Sequence, residues 1–293
     1  MHRDNFKVLV TGGAGFIGSA LCEALSGSGN FVTSLDNYHA GSVDNHHPGV
    51  DYITGDTEKI HDHFCNGEKF DYIFHLGEYA RVEQSFKDLQ KVLRYNYHSF
   101  PFVVDFAKKI GAKLVYSGSS TKFSVEGEGR SMSPYAYTKA QNTEFLKAFS
   151  EWYGLDYTIV YFYNAYGDHE IGDGDYSTVV AKFIRLIRSG ETELPVTSPG
   201  TQLRNFTHVD DIVSGLIIAG IEGNGDGYGI GCDEKHSILD LVSYLEAKPI
   251  IKDGKPGNRM DGELKTEKIK ALGWTAKVRL ADYLNAKLKE TIY

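Results

Sequence analysis

The sequence predicts an α/β protein, a doubly wound parallel sheet followed by a smaller mixed lobe. Three observations carry the prediction. Short apolar runs alternate with stretches of helical spacing through residues 1–166. A glycine-rich loop joins the first apolar run to the first helical stretch. Beyond Gly167 the alternation loosens. Short strands alternating with helices imply right-handed βαβ units and a parallel sheet covered on both faces.

In order along the chain, residues 6–10 form a short apolar run ending at glycines and read as a buried first strand. Residues 15–25 have helical spacing. Residues 31–35, 51–53 and 72–75 read as the next three strands. Residues 86–110 read as a long helix, 113–116 as a fifth strand, 135–153 as a second long helix and 157–162 as a sixth strand. Further on, residues 176–189, 209–221, 237–245, 266–272 and 280–291 read as helices, with extended pieces at 194–196 and 204–207. The expected division is residues 1–166 and 167–293, with no Pro/Ser linker between them. A cleft between two such lobes is the natural ligand site.

The chain has 293 residues, enough for two domains of about 150 residues. With 41% apolar and 24% charged residues it is an ordinary globular composition, which excludes disorder, collagen and coiled coil. Lys and Arg total 31 against 39 Asp and Glu, a net charge of -8 with no basic run, which argues against nucleic-acid binding. Cys22, Cys65 and Cys232 are odd in number and far apart, so neither a disulfide framework nor a zinc site is expected, and a reducing cytoplasm fits. No signal peptide is expected ahead of the first strand, and no apolar stretch approaches the ~18 residues that span a bilayer.

Residues 8–18, V-L-V-T-G-G-A-G-F-I-G, satisfy G-x-G-x-x-G through Gly13, Gly15 and Gly18, and a second spacing through Gly12, Gly15 and Gly18. Between a strand and a helix, such glycines let the backbone turn tightly and approach a pyrophosphate at the helix N-terminus, as in a Rossmann-type dinucleotide site. Asp36 ends the second strand about 20 residues beyond the loop, where a carboxylate accepts hydrogen bonds from the adenine ribose and repels a 2′-phosphate. The loop carries no Lys or Arg, so NAD is expected over NADP.

Tyr135 and Lys139 form Y-x-x-x-K and share a face if helical. A free Tyr has a pKa of about 10. A nearby ammonium stabilises the phenolate, which could then take a proton from a sugar hydroxyl. Tyr137 has Gln141 at i+4, so Tyr135 is the better candidate. Ser117, Ser119 and Ser120 follow the fifth strand, at the sheet edge that faces ligands in open parallel sheets. For Ser117 and Ser120 a plain polar turn competes with a binding role.

At these residues the sequence resembles, over nearly its whole length, the extended short-chain dehydrogenase/reductase family of NAD-dependent nucleotide-sugar epimerases and dehydratases. Residues 11–18, including Phe16 and Ile17, look like its T-G-x-x-G-x-x-G loop. Asp36-Asn37 lie on its ribose side, Asp56 matches its adenine-side Asp, and His75-Leu76-Gly77 matches its H-L-A-A strand end. The resemblance implies that Ser119, Tyr135 and Lys139 are catalytic. It implies that Gly12, Gly15, Phe16, Ile17, Gly18, Asp36, Asn37, Asp56 and Leu76, with Tyr135 and Lys139, bind NAD. It also implies that Asn164, in Y-N-A-Y-G, and Arg204, in G-T-Q-L-R-N-F-T-H-V-D-D, grip a substrate diphosphate, with Arg259 as a second phosphate ligand. The C-terminal lobe would then bind the nucleotide sugar, and the long helices would pair in a homodimer through Phe102, Val103, Phe106, Phe145, Phe149 and Trp152.

The departures matter. Dehydratases of the family carry Asp-Glu after the catalytic Ser/Thr, and here those positions are Ser120 and Thr121, so water elimination lacks its acid and base. The second Ala of H-L-A-A is Glu78. That acid could touch the sugar beside Ser119 and Ser120, or the loop could simply be solvated. The Ser119–Phe123 variant with Glu78 also resembles bacterial enzymes acting on GDP-heptoses. The expected activity is oxidation at C4 of a nucleotide sugar, as a 4-epimerase or as a 4-dehydrogenase of the GDP-heptose type. A non-enzymatic NAD sensor is the rival from another class, although such proteins usually lose the Tyr or the Lys.

Overall fold

The computed structural model describes residues 5–123, 129–174, 176–253 and 263–292. The chain runs β1 (Lys7–Thr11), α1 (Phe16–Gly27), β2 (Phe31–Asp36), β3 (Val50–Thr54), α2 (Ile60–His63), β4 (Tyr72–His75), α3 (Leu89–Val92), α4 (Phe100–Ile110), β5 (Lys113–Ser119), α5 (Pro134–Tyr153) and β6 (Tyr157–Phe162). It continues through β7 (Ala165–Tyr166), α6 (Val179–Arg188), β8 (Glu193–Thr197), β9 (Leu203–Asn205), β10 (Thr207–His208), α7 (Val209–Glu222), β11 (Gly225–Ile230), β12 (Lys235–Ser237), α8 (Ile238–Tyr244), β13 (Lys248–Lys252), α9 (Glu267–Ala271) and α10 (Leu280–Ile292).

Seven strands form one parallel sheet in the order β11-β6-β5-β4-β1-β2-β3. Successive side chains on a strand point to opposite faces, so a sheet buried on both faces needs continuous apolar runs. In β1, Val8 and Val10 join the core under α1 and α7, while Leu9 joins the core under α4 and α5. In β5, Val115 faces the first core and Leu114 and Tyr116 the second. The order reverses between β1 and β4, and the carboxyl ends of strands at such a switch point open the ligand crevice of an α/β sheet.

The second lobe has its own core, in which Val180, Phe183 and Ile184 of α6 meet Leu194 and Val196 of β8, Leu241 of α8 and Leu284 of α10. Residues 209–230 do not stay in that lobe. α7 packs beside α1, and β11 extends the main sheet past β6, so the expected division at 166/167 is crossed by the chain. Gly220 makes the docking possible, since a Cβ there would lie 2.7 Å from the Phe74 ring. The sequence pattern hides β11 because Gly225, Gly227 and Gly229 interrupt it.

Two helices bear on the site. The expected helix over 86–110 is broken into α3, a wider π-type turn over Leu93–His98, and α4. Pro101, in the first turn of α4, has no N–H to continue the regular ladder. Such bulges recur at functional sites, and this one carries buried Asn96, which accepts from Tyr79 N at 2.7 Å and donates to Tyr79 O at 3.1 Å. α5 starts where the sequence places it: the Ser133 side chain accepts from Ala136 N at 3.1 Å, Pro134 opens the first turn, and Gly154 ends the helix with a left-handed φ of 67°.

Of the six side chains expected on an intersubunit seam, Val103 and Phe106 are buried in the subunit's own core, and Phe145 and Phe149 pack against it. Phe102 and Trp152 remain 46% and 66% exposed. Four of the six therefore serve the monomer. None of the described helices is long and apolar enough to cross a membrane.

Candidate active site

The cleft opens at the switch point. Gly12 has φ +76°, and a Cβ there would lie 2.8 Å from Gly77 Cα, so the loops after β1 and β4 touch where Gly12 turns. A Cβ on Gly18 would drive into the Gly12 carbonyl oxygen. These two glycines set the close turn, which selects the Gly12, Gly15, Gly18 spacing. Gly13 serves packing instead, against Ser34 and Cys22. Gly15 caps α1 with no side-chain partner, and the first turn holds no acidic residue. The open N–H groups and the positive end of the helix dipole suit an anionic pyrophosphate. The cradle therefore fits a dinucleotide.

Asp36 is buried at the end of β2, accepting from Ala14 N at 2.9 Å on one oxygen and from Tyr38 N at 2.8 Å on the other. Phe16, Ile17, Asp36, Asn37 and Leu76 line the cleft with the glycine turn. Asp56 does not line it. Its carboxylate accepts from Asn37 Nδ2 at 2.6 Å and from Arg94 at 2.9 Å, and its neighbours Gly55 and Thr57 face the cleft.

At the opposite end stand Ser117, Gly118, Tyr135, Lys139 and Phe162. Tyr137 points away and is 51% exposed. Lys139 Nζ donates to Ser117 O at 2.6 Å and forms an ion pair with Glu78. Ser119 is buried at the end of β5, its Oγ 2.9 Å from Thr121 Oγ1, and Ser120 begins a single tight turn. Neither lines the cleft directly.

The solvated-loop reading of Glu78 is corrected, since its side chain is 1% exposed. Glu78 lines the cleft, and its carboxylate forms an ion pair with Lys139. Its carboxylate accepts from Asn142 Nδ2 at 2.8 Å and from Tyr116 OH at 3.2 Å. Burial pushes the Glu78 carboxyl up, but the Lys139 ammonium and His75 outweigh it and the net shift is downward. Burial and the Glu78 charge push the Tyr116 hydroxyl well above its usual range, so it stays a donor.

Arg81 follows Glu78 on the same loop and lines the cleft, its Nε donating to Tyr176 O at 2.9 Å. Beyond it, burial holds the Glu170 carboxyl up at about 7, against hydrogen bonds from Thr178 Oγ1 and Gly167 N. His39, Tyr79 and Tyr176 pack ring to ring along the cleft wall, and both tyrosines donate to Asp88. Sequence reasoning assigned no role to His39, Arg81 or Tyr176. The signal for the first two was their place just past the carboxyl ends of β2 and β4.

The substrate-side residues are not gathered at this cleft. Asn164, exposed at φ 38°, donates from Nδ2 to Asn205 O at 3.1 Å. Arg204 is half-buried on β9, with an NH1 bond to Leu203 O at 2.8 Å. Neither lines the cleft. Arg259 lies outside the described residues. Among the described residues no group of His, Cys, Asp and Glu is placed to hold a metal ion.

Residues 8–231 match the family model described as the NAD dependent epimerase/dehydratase family. UDP-glucuronic acid decarboxylase 6 of Arabidopsis thaliana is 30% identical over 311 aligned residues, covering 96% of this chain and 88% of that protein. Two solved structures are similar at 26% identity. One is UDP-glucose 4-epimerase of Thermotoga maritima with UDP-glucose, with a TM-score of 0.90 and coverage of 98% of this chain and 100% of that one. The other is UDP-glucose 4-epimerase of Thermus thermophilus in complex with NAD, with a TM-score of 0.85 and coverage of 98% and 99%.

Proposed function

The chain belongs to the NAD-dependent epimerase/dehydratase family, and from that premise we propose that it oxidises C4 of a nucleotide-diphosphate sugar and acts as a 4-epimerase. The observation that carries the reading is the cleft itself, with the glycine turn and Asp36 at one end and Tyr135 and Lys139, one helical turn apart, at the other. NAD, when bound, supplies the hydride acceptor and then the donor for the sugar carbon. Tyr135 takes the hydroxyl proton and Ser119 holds the same oxygen. Lys139 and Asp36 hold cofactor hydroxyls, the glycine turn holds the phosphates, and Asn37 and Leu76 border the adenosine, with Asp56 behind them holding Asn37. Asn164 and Arg204, with Arg259, grip the substrate diphosphate, so that binding energy from a remote part positions C4.

Ser120 and Thr121 offer no carboxylate next to Ser119, which disfavours elimination of water. The two similar epimerase structures favour inversion at C4. A 4-dehydrogenase of the GDP-heptose type would share the first half of the reaction and release the ketone. The test is incubation with uridine, guanosine, cytidine and thymidine sugars, followed by sugar NMR and NADH absorbance. A C4-inverted sugar formed without added NAD and without net NADH is expected. A burst of NADH stoichiometric with enzyme and no inverted sugar would instead show the dehydrogenase, and no change with any sugar would revive the sensor.

Asp36→Asn should narrow the preference for NAD over NADP by about tenfold, since hydrogen bonds to a charged group contribute about 1.5–3 kcal/mol. The amide keeps an acceptor for Ala14 N or Tyr38 N while removing the charge that repels a 2′-phosphate. Calorimetry with both cofactors checks this, and equal affinity in the unaltered protein would refute the assignment of Asp36.

We propose also that α4 and α5 pair with their copies in a second subunit. Phe102, Tyr137, Trp152 and Tyr153 leave an exposed apolar surface on these two helices, of the kind that isologous helix pairing buries. Light scattering at micromolar concentration should give a dimer, and Trp152→Glu a monomer.

A further inference from the structure

The mechanism proposed above makes no use of Glu78, although its carboxylate is the most thoroughly enclosed charge next to the catalytic pair. Its side chain is 1% exposed and that of Lys139 is 4% exposed. Four groups from three elements converge on it: Lys139 and Asn142 of α5, Tyr116 of β5, and His75 of β4, whose Nε2 lies 3.7 Å away. His75 is itself fixed by Thr11 Oγ1 at 2.7 Å from its Nδ1. The loop that carries Glu78 is pinned one residue later, where Asn96 holds both backbone groups of Tyr79. These partners hold the carboxylate in place at the cleft wall, which Glu78 lines.

An ammonium has three donors. One of those on Lys139 goes to Ser117 O and one to Glu78. We propose that Glu78 is a positioning residue for the reaction: as the buried counter-ion of Lys139 it fixes the ammonium against Ser117 and offsets its field, so that Tyr135 meets an ion pair rather than a bare positive charge. The proposal rests on Tyr135 being the proton acceptor. The charged groups that line this end of the cleft with Tyr135 are Lys139 on its own helix and Glu78 and Arg81 on the loop after β4, with Tyr116 of β5 and His75 of β4 behind Glu78 and Glu170 acting on Arg81. Deleting the negative member leaves Lys139 unopposed while Arg81 still faces Glu170, and as long as Lys139 keeps its proton Tyr135 releases its own more easily. A unit charge about 10 Å away at an effective dielectric of about 20 moves a titration by about one pH unit.

The test compares the unaltered enzyme, with its cofactor, to Glu78→Gln. The Tyr135 phenolate is read without substrate, as the pH-dependent absorbance difference between each protein and its Tyr135→Phe counterpart. The expected result is a downward displacement of about one pH unit in Glu78→Gln. The acid limb of kcat should fall by the same amount, with KM for the sugar changed less than about threefold, because the Glu78 side chain is enclosed and engaged by Lys139. Asn142→Ala, which removes a neutral partner and keeps the charge, should leave the limb in place. If Glu78→Gln does not fold, Glu78→Ala is read in the same way. A titration that stays put or moves upward overturns the proposal, as does failure of both variants to fold, which would make Glu78 a core residue alone. The substrate-free titration reports on Glu78 even if the sugar panel shows no C4 chemistry, so the two ideas fail separately.

Discussion

Tyr135→Phe is expected to lower turnover by about 10²–10⁴-fold while leaving the cofactor bound, the range that one positioned acid or base contributes. Tyr135 stands one helical turn before Lys139 on α5, and both line the end of the cleft opposite the glycine turn. The substitution removes one oxygen. It leaves Ser133 capping the helix and leaves Lys139 on Ser117 and Glu78, because neither contact involves the phenol. Affinity for NAD, measured by calorimetry, should therefore stay within about threefold, and the loss should fall on kcat and kcat/KM alike, the signature of an interaction made in the transition state. Retention of full activity would remove Tyr135 from the mechanism. A matching loss of cofactor would show that the phenol holds the fold or the ligand instead.

What could be read from the sequence follows from how local each signal is. The glycine turn was legible because three glycines between a strand and a helix need no distant partner, and Asp36 because its spacing from that turn is set by one βα unit. Tyr135 and Lys139 were legible because residues four apart on a helix share a face. The limit came where function depends on residues far apart in the chain. Glu78 looked like part of a charged loop or a sugar contact, and only the approach of α5 to the end of β4 turns it into the partner of Lys139. β11 was missed because alternate glycines erase the apolar signal, although pairing with β6 makes it a strand. Two other residues of the motif that contains Arg204 serve the fold. Asn205 donates to Cys232 O at 2.8 Å, and Asp211 accepts from Lys277 N and Val278 N, which ties the tail before α10 to the start of α7.

The second large effect concerns stability and activity together. Lys139→Met should abolish turnover and also destabilise the fold by about 3–5 kcal/mol near neutral pH, because removing one member of a buried pair leaves the other charge uncompensated. The pH dependence identifies the cause. In the unaltered protein the Glu78 carboxyl is held below the usual glutamate value of 4.5, so its contribution to stability is present above that value and is lost as pH falls through the lower, folded-state one. In Lys139→Met the attraction is gone and burial remains, so the carboxyl titrates above its unfolded value. The folded state then binds the extra proton, and stability falls as pH rises past about 4.5. Denaturant melts at pH 5 and pH 8 should show a larger penalty at pH 8. Lys139→Met combined with Glu78→Gln should recover most of the lost stability, since both charges are absent, yet recover none of the activity. An equal penalty at both pH values, or a double variant no more stable than the single one, would mean that the two side chains do not act as a pair.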